Sequence, residues 1–317
     1  MMIYAHPNTR PKLDPSRYSI QEDERQFYEL LTGIHDEEEL KAHIVAVQAK
    51  AYQVFGYPCI RLFSFMRLTI ARLSAYPKVL KLLEQRKDPI LLDLGCCFGN
   101  DSRKAMIDGW PIENIVASDL RQEFWECGHE LFKSTPASFP VAFIAGDVFD
   151  SSMLDMESDT QADPDSIRPL RNLTSLSPLK HKVSAIHVSA LFHLFDEDHQ
   201  RDLAHRLASL LLLEKGSIIF GQHGAQPEMG TRLEIVRMDG TDSEIGQHTM
   251  FCHSPESWKK LWEEDIFGPG SLRHRASGDS EGEVRVKVEA KLKLIERWDF
   301  VNTNTKFYFM DWSVEVL

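Results

Sequence analysis

The sequence has no apolar run long enough to cross a bilayer. The longest, around Leu210-Leu211-Leu212-Leu213, falls far short of the roughly 20 residues a spanning helix needs, so no membrane partner is expected. It has no CxxC pair. Its five cysteines, at 59, 96, 97, 127 and 252, form an odd set that argues against a disulfide framework and for thiols used as small apolar side chains in a reduced, cytoplasmic protein. It has no Lys/Arg block, and 36 basic residues face 48 acidic ones for a formal charge of −12. Such a chain repels phosphate backbones, which excludes nucleic acid from the expected partners. Met1-Met2-Ile3-Tyr4-Ala5-His6-Pro7 carries neither a basic flank nor an apolar stretch behind it, so no signal or transit sequence is expected. No internal repeat is visible.

What is present is ordinary globular material: 317 residues, 43% apolar and 26% charged, enough for one large domain or a core with an appendage. Residues 1–20 are polar and Pro-rich, a loose arm. From Gln21 to Gln85 the period is helical, with Phe27, Leu30, Leu31 and Ile34, then Leu40, Ile44, Val47 and Ala51, at three- and four-residue spacing. Asp36 caps the second of these helices and Glu39 is placed to complete a capping box. The acidic runs at 22–24 and 36–39 read as solvated helix starts. Residues 1–88 are therefore expected to form a helical cap.

At Pro89 the period changes. Ile90–Leu94, Asn114–Asp119, Val141–Ala145, Val183–Val188 and Ser217–Phe220 read as buried strands, alternating with helices at 100–109, 122–132 and 196–213. That order predicts an α/β fold, a doubly wound and mostly parallel sheet. Near the end, Val284 to Leu294 and Tyr308 to Val316 alternate apolar and polar residues with about a dozen residues between them. This predicts an antiparallel C-terminal pair. Residues 151–182 and 222–282 read as insertions in a core spanning 89–317.

Asp93-x-Gly95-x-x-x-Gly99 stands where a parallel strand gives way to a helix, and glycine there lets the backbone pass close to a ligand. A dinucleotide fingerprint would want glycines at 95, 97 and 100, but Cys97 and Asn100 occupy the last two. A ligand without a pyrophosphate fits better. Asp119, ending the second strand, is placed to accept ribose hydroxyls or, equally, to cap a helix. Asp147, after Gly146 at the end of the third, is placed to accept the adenine amino group. Three acids at the carboxyl ends of successive parallel strands converge on the crevice where open α/β sheets bind ligands.

With these parts in hand the sequence resembles the class I S-adenosylmethionine-dependent methyltransferases. The resemblance covers about residues 88–317, through Leu91–Gly99, Asp119, Gly146-Asp147, the segment from Ser189 to Phe195 and the strand Ile218-Ile219-Phe220-Gly221. It implies a Rossmann-like seven-stranded sheet whose closing antiparallel pair differs from nucleotide dehydrogenases. It also implies S-adenosyl-L-methionine held by Asp93, Gly95, Cys96, Gly99, Asp119, Leu120, Gly146, Asp147, Val148 and Ser189. Cys97, where many members have glycine, and Glu214-Lys215-Gly216, where Pro-Gly-Gly is usual, are departures. A closer similarity is to fungal methyltransferases that tailor secondary metabolites, including those that methylate a carboxyl of meroterpenoid intermediates. It rests on Ala51-Tyr52-Gln53-Val54-Phe55-Gly56-Tyr57-Pro58-Cys59-Ile60-Arg61 and on His193-Leu194-Phe195-Asp196. It implies a cytosolic homodimer acting on a small, largely apolar acceptor, most simply by O-methylation.

For a hydroxyl acceptor a general base helps, whereas a carboxylate needs none. His193 and His223 follow the fourth and fifth strands and are the candidate bases, though each reads as readily as a pocket or packing residue. Tyr52, Arg61 and Trp258 are candidate acceptor contacts, with core packing or a surface ion pair as the plainer reading. His187, His193 and His199 are six apart, which matches no zinc pattern, so no metal is expected. A nicotinamide-dependent oxidoreductase and a non-catalytic relative retaining the fold are the alternatives.

Overall fold

The computed structural model of the chain describes residues 10–157, 167–238, 245–268, 284–296 and 306–317. Residues 1–9 of the predicted arm, and 158–166, 239–244 and 269–282 of the predicted insertions, lie outside the described residues. The chain first forms α1 (Glu22–Thr32), α2 (Glu37–Val54), α3 (Pro58–Arg61), α4 (Thr69–Arg72) and α5 (Tyr76–Gln85). The caps follow the sequence in part. Asp36 Oδ1 accepts the Glu39 N–H at 2.9 Å, while a reciprocal box forms at Gln21 and Glu24 one helix earlier. Glu24 corrects the reading of its acidic run as solvated. It is fully buried, accepts from Arg67 and Arg72, and so ties α1 to α4 and the turn before it.

The core follows as β1 (Ile90–Leu94), α6 (Asn100–Ile107), β2 (Ile115–Asp119), α7 (Gln122–Leu131), β3 (Ala142–Ala145), β4 (Val183–His187), α8 (Glu197–Leu210) and β5 (Ile218–Ala225). A hairpin of β6 (Gly230–Arg237) and β7 (Ile245–Cys252) comes next, then α9 (Pro255–Lys260) running into a π-helical turn (Leu261–Ile266). Last come β8 (Val286–Ile295) and β9 (Phe307–Val316). The main sheet has seven strands in the order β3-β2-β1-β4-β5-β9-β8. Pairings from β3 to β5 are parallel, and β9 runs antiparallel to both β5 and β8. This is the predicted sheet with its predicted closing pair.

Both faces of the sheet are covered, as its strands require. Leu92, Val116 and Ile219 join the apolar cluster of α8 and the α9 region, while Leu91, Ala117 and Phe220 join that of α5, α6 and α7. The N-terminal helices have their own aromatic cluster, shared with Phe124, Leu131 and Phe132 along α7. The chain runs outward from β1 to β3, then crosses back to β4. The crevice at the carboxyl ends of β1 and β4 is thus the topological switch point. Among the described residues, no helix is long and apolar enough to cross a membrane.

Candidate functional site

The loop after β1 is shaped by three left-handed residues: Gly95 at φ +74°, Cys97 at +51° and Gly99 at +70°. Gly99 also has no room for a side chain, since a Cβ would meet the Trp125 ring at 2.5 Å. Cys97 pays about 1–2 kcal/mol for a backbone that glycine adopts freely. Its N–H donates to Asp119 Oδ2 at 2.9 Å, which helps hold the strained turn. Ala190, in the loop after β4, is another non-glycine residue in the left-handed region, at φ +55°. Both strained positions line one cavity, and strain of this kind gathers at ligand sites.

That cavity holds about 510 Å³ and opens at the switch point. One end is formed by Asp93, Gly95, Cys96, Cys97, Asp101 and Asp119, with Phe124 and the N-terminal residues Phe55, Tyr57, Cys59, Phe65, Arg67 and Thr69. Leu191 packs over Gly95, and the lining continues with His193, Leu194, Gln222, Gly224, Ile295 and Phe309, and with Arg232, Glu234, His248, Thr249 and Met250 from the hairpin. Burial pushes the Cys59 thiol up to about 12 and those of Cys96 and Cys97 well above their usual range. All three are neutral wall residues rather than nucleophiles.

The acids behave differently. Burial raises Asp119 above the usual carboxylate range, against the pull of two backbone donors, Arg121 N–H at 3.0 Å on Oδ1 and the Cys97 N–H. Burial pushes Asp101 up to about 6, against the opposing charge of His187. Asp101 accepts the Ile70 N–H at 2.8 Å and so fastens α4 to α6. Asp93 accepts from Ser102 Oγ at 2.6 Å and is bonded to His187 Nδ1 at 2.9 Å. A cavity end with three carboxylates, two of them reluctant to ionise for want of solvent, is complementary to a cation.

Of the sequence candidates, Asp93, Gly95, Cys96, Asp119, Ser189 and His193 line this cavity, and Gly99 shapes its loop. Others stand apart from it. Leu120 is half-exposed on the surface beyond β2, and Val148 is buried in the core. Gly146 donates its N–H to Asp119 O. Asp147 is exposed and accepts from Phe149 N–H in a local turn. The third acid of the cavity is therefore Asp101, where the strand-end pattern pointed to Asp147. His223 is a second departure. Gln222 and Gly224 face the cavity, so alternation along β5 turns His223 to the opposite side. There its Nδ1 accepts from Trp312 Nε1 at 2.9 Å among Phe192, Trp258 and Trp312, and burial holds its pKa well below the usual imidazole range. Trp258 belongs to the same aromatic core and is fully buried.

Tyr52 and Arg61 also lie outside the cavity lining. Tyr52 Oη donates to Pro11 O at 2.6 Å, and Arg61 donates to Lys12 O and Arg237 O. Both pin the arm that precedes α1. Arg61→Met should consequently cost about 2 kcal/mol through lost bonds to a charged donor. That would lower the thermal unfolding midpoint by about 4 °C in a scanning fluorimetry comparison. An unchanged midpoint would show that these bonds carry no net stability.

His193 lines the cavity, with Nδ1 accepting from Gly224 N–H at 2.9 Å. In that arrangement Nε2 carries the ring hydrogen of the neutral imidazole. Sequence reasoning missed His187, Asp101, Arg67 and the hairpin residues. For His187 a partial signal was available, since it stands two residues before Ser189 at the end of an apolar strand; its register partner in β1, Asp93, is visible only in the structure.

Comparison with known proteins gives consistent relatives. Residues 13–66 match the model of the meroterpenoid methyltransferase N-terminal domain. The chain is 31% identical to O-methyltransferase phiE of a fungal species over 221 residues, which cover 70% of this chain and 63% of that protein. It is 30% identical to methyltransferase adrK of Penicillium roqueforti over 249 residues, 77% of this chain and 76% of the other. It is 28% identical to the Asnovolin E/Chermesin D methyltransferase nvfJ of Aspergillus novofumigatus over 252 residues, 80% and 79% of the two chains.

Proposed function

The chain belongs to the fungal methyltransferases, the family of adrK and nvfJ, and we propose that it transfers a methyl group from S-adenosylmethionine to an oxygen of a small, largely apolar metabolite in secondary-metabolite biosynthesis. The observation that carries this reading is one cavity lined by Asp93, Asp101 and Asp119 beside the glycine loop, by the apolar Phe55, Phe65, Phe124 and Leu191, and by Ile295, Phe309 and Met250. S-adenosylmethionine supplies a methyl group on a positive sulfur, so that the acceptor oxygen forms its bond to carbon as the carbon–sulfur pair returns to sulfur. In this reading the Asp119 carboxylate takes the ribose hydroxyls, and Asp93 and Ser189 take the amino-acid end, beside a 95–99 loop whose amides at 95, 96, 97 and 99 are already bonded within the protein. Phe65, Phe124 and Leu191 keep water from the space between. Alignment of two reactants in such a slot provides most of the acceleration that a methyl transfer needs.

Oxygen as the acceptor atom is favoured by the name of phiE, and by the state of His193. With Nδ1 engaged by Gly224, the imidazole is better placed to donate than to remove a proton. A carboxylate acceptor requires no base, and an ester would result. Incubation with labelled S-adenosylmethionine and a metabolite extract of the source organism should yield a labelled compound that loses its label in mild alkali. An alkali-stable product would replace ester by ether. No transfer, together with no binding of S-adenosylhomocysteine by calorimetry, would sink the proposal.

A further inference from the structure

His187 is buried to 2% exposure at the end of β4, yet both its ring nitrogens are engaged at the cavity wall. Nδ1 is 2.9 Å from Asp93 Oδ1 and Nε2 is 2.8 Å from Ser189 Oγ. Ser189 also accepts from the Gln222 N–H at 3.3 Å. As a carboxylate Asp93 only accepts, and its other oxygen is occupied by Ser102. Nδ1 therefore carries hydrogen in every state of the ring, and Nε2 is the nitrogen that gains or loses a proton.

The consequence falls on Ser189, which has one hydrogen and two lone pairs. With a neutral ring, the Ser189 hydroxyl gives its hydrogen to Nε2, one lone pair takes the Gln222 N–H, and the other faces the cavity as an acceptor. With an imidazolium, Nε2–H and the Gln222 N–H use both lone pairs, and the hydroxyl hydrogen turns to the cavity as a donor. We propose that His187 is a positioning residue that sets the polarity of the hydrogen bond Ser189 offers the cofactor, so that the neutral ring presents an acceptor suited to the ammonium of the cofactor's amino-acid end. The inference rests on the S-adenosylmethionine reading of the same cavity.

The groups that act on His187 are few. Asp93 faces it from β1 and Asp101 from α6, while β5 contributes the uncharged Phe220 ring at 5.4 Å between centroids. Burial opposes the ring's charge, but the Asp93 bond and the two carboxylates outweigh it and raise the imidazole above its usual value. The change of polarity thus falls at a higher pH than the titration of an ordinary imidazole. As pH drops, the site passes from acceptor to donor, and an ammonium ligand meets a like-oriented O–H.

Calorimetric titration with S-adenosylhomocysteine between about pH 8.5 and about pH 5.5 tests this on the whole chain. In the wild-type protein the dissociation constant should rise about tenfold across that range, the worth of one charge-assisted bond. Ser189→Ala lacks the hydroxyl. His187→Asn keeps a donor toward Asp93 but cannot titrate. Each should hold its dissociation constant within about threefold over the same range, the residual change coming from Asp119 and Asp101, which burial raises and which both variants retain. A flat wild-type profile, or a full wild-type slope in either variant, overturns the proposal. So does loss of all binding in both, because a residue that sets polarity tunes a site rather than creating it. Absence of binding by the wild-type protein at every pH would instead overturn the methyltransferase reading beneath it.

Discussion

Asp119→Ala is expected to weaken S-adenosylhomocysteine binding by about a hundredfold or more, at two charge-assisted bonds of about 1.5–3 kcal/mol each. The side chain ends β2 at the cavity wall, and each of its oxygens already accepts one backbone N–H. Those bonds fix the carboxylate plane and leave the second lone pair of each oxygen for a diol. The variant loses the ribose bonds and also the partner of the strained Cys97 amide, so the loop itself loosens. Asp119→Asn keeps one acceptor and should fall between the two. Because burial raises this carboxyl above its usual range, the ion is lost early as pH falls, and wild-type affinity should decline at a pH where an exposed aspartate would still be charged. Asp147→Ala is the internal comparison: it is exposed and outside the cavity lining, and should change affinity by no more than about twofold. Calorimetry on the three variants reads the ordering directly. A folded Asp119→Ala protein that binds like wild type would remove the carboxylate from the site.

The legible and illegible parts of the molecule divide by a physical rule. β1, β2, β4 and β9 could be found because most of their buried positions are apolar, whether as a run or in alternation. The β6–β7 hairpin could not. Along β6 the buried positions are Arg232, Glu234 and Val236, while Leu233 is half-exposed. Alternation is present but its polarity is inverted, since Arg232 and Glu234 pair with each other, and Glu234 with His248, against the cavity rather than against solvent. A buried polar cluster built on an ion pair contributes little to stability compared with apolar packing, and no hydrophobic pattern can reveal it.

The same rule explains His223. Read as ending at Phe220, β5 left His223 in a loop at the catalytic edge. In fact β5 continues to Ala225 because β9 pairs with it through Tyr308, and the extra residues bring period-two alternation that sends His223 into the tryptophan core. The candidate site was legible where it lies on the chain in one piece, at 93–99, 119 and 189–194. Arg67, Asp101 and His187 come from α4's approach, α6 and β4, and only the packing of those elements unites them.

Gly221→Ala should be the most damaging single methyl group in the core. Gly221 has no unusual backbone angle, and its requirement is space. A Cβ there would stand 1.7 Å from Val188 O and 2.6 Å from Val188 C, atoms of the neighbouring backbone that no side-chain rotation can move. The end of β4 must shift away from β5, against the Val188 N–H to Phe220 O bond at 2.9 Å and the Ala190 N–H to Gln222 O bond at 2.7 Å. A cost of about 3 kcal/mol or more is expected, or a fall of about 6 °C or more in the thermal midpoint. Gly224→Ala, three residues along the same strand, supplies the contrast. Its Cβ would meet the Met250 sulfur at 3.1 Å, the end of a flexible side chain, and should cost about 1 kcal/mol or less. Since Val188 leads directly into Ser189, the Gly221 variant should also lose S-adenosylhomocysteine affinity at temperatures where it remains folded. Equal midpoints for the two variants would mean that β4 and β5 tolerate separation, and that the cavity wall at Ser189 is not held by their close approach.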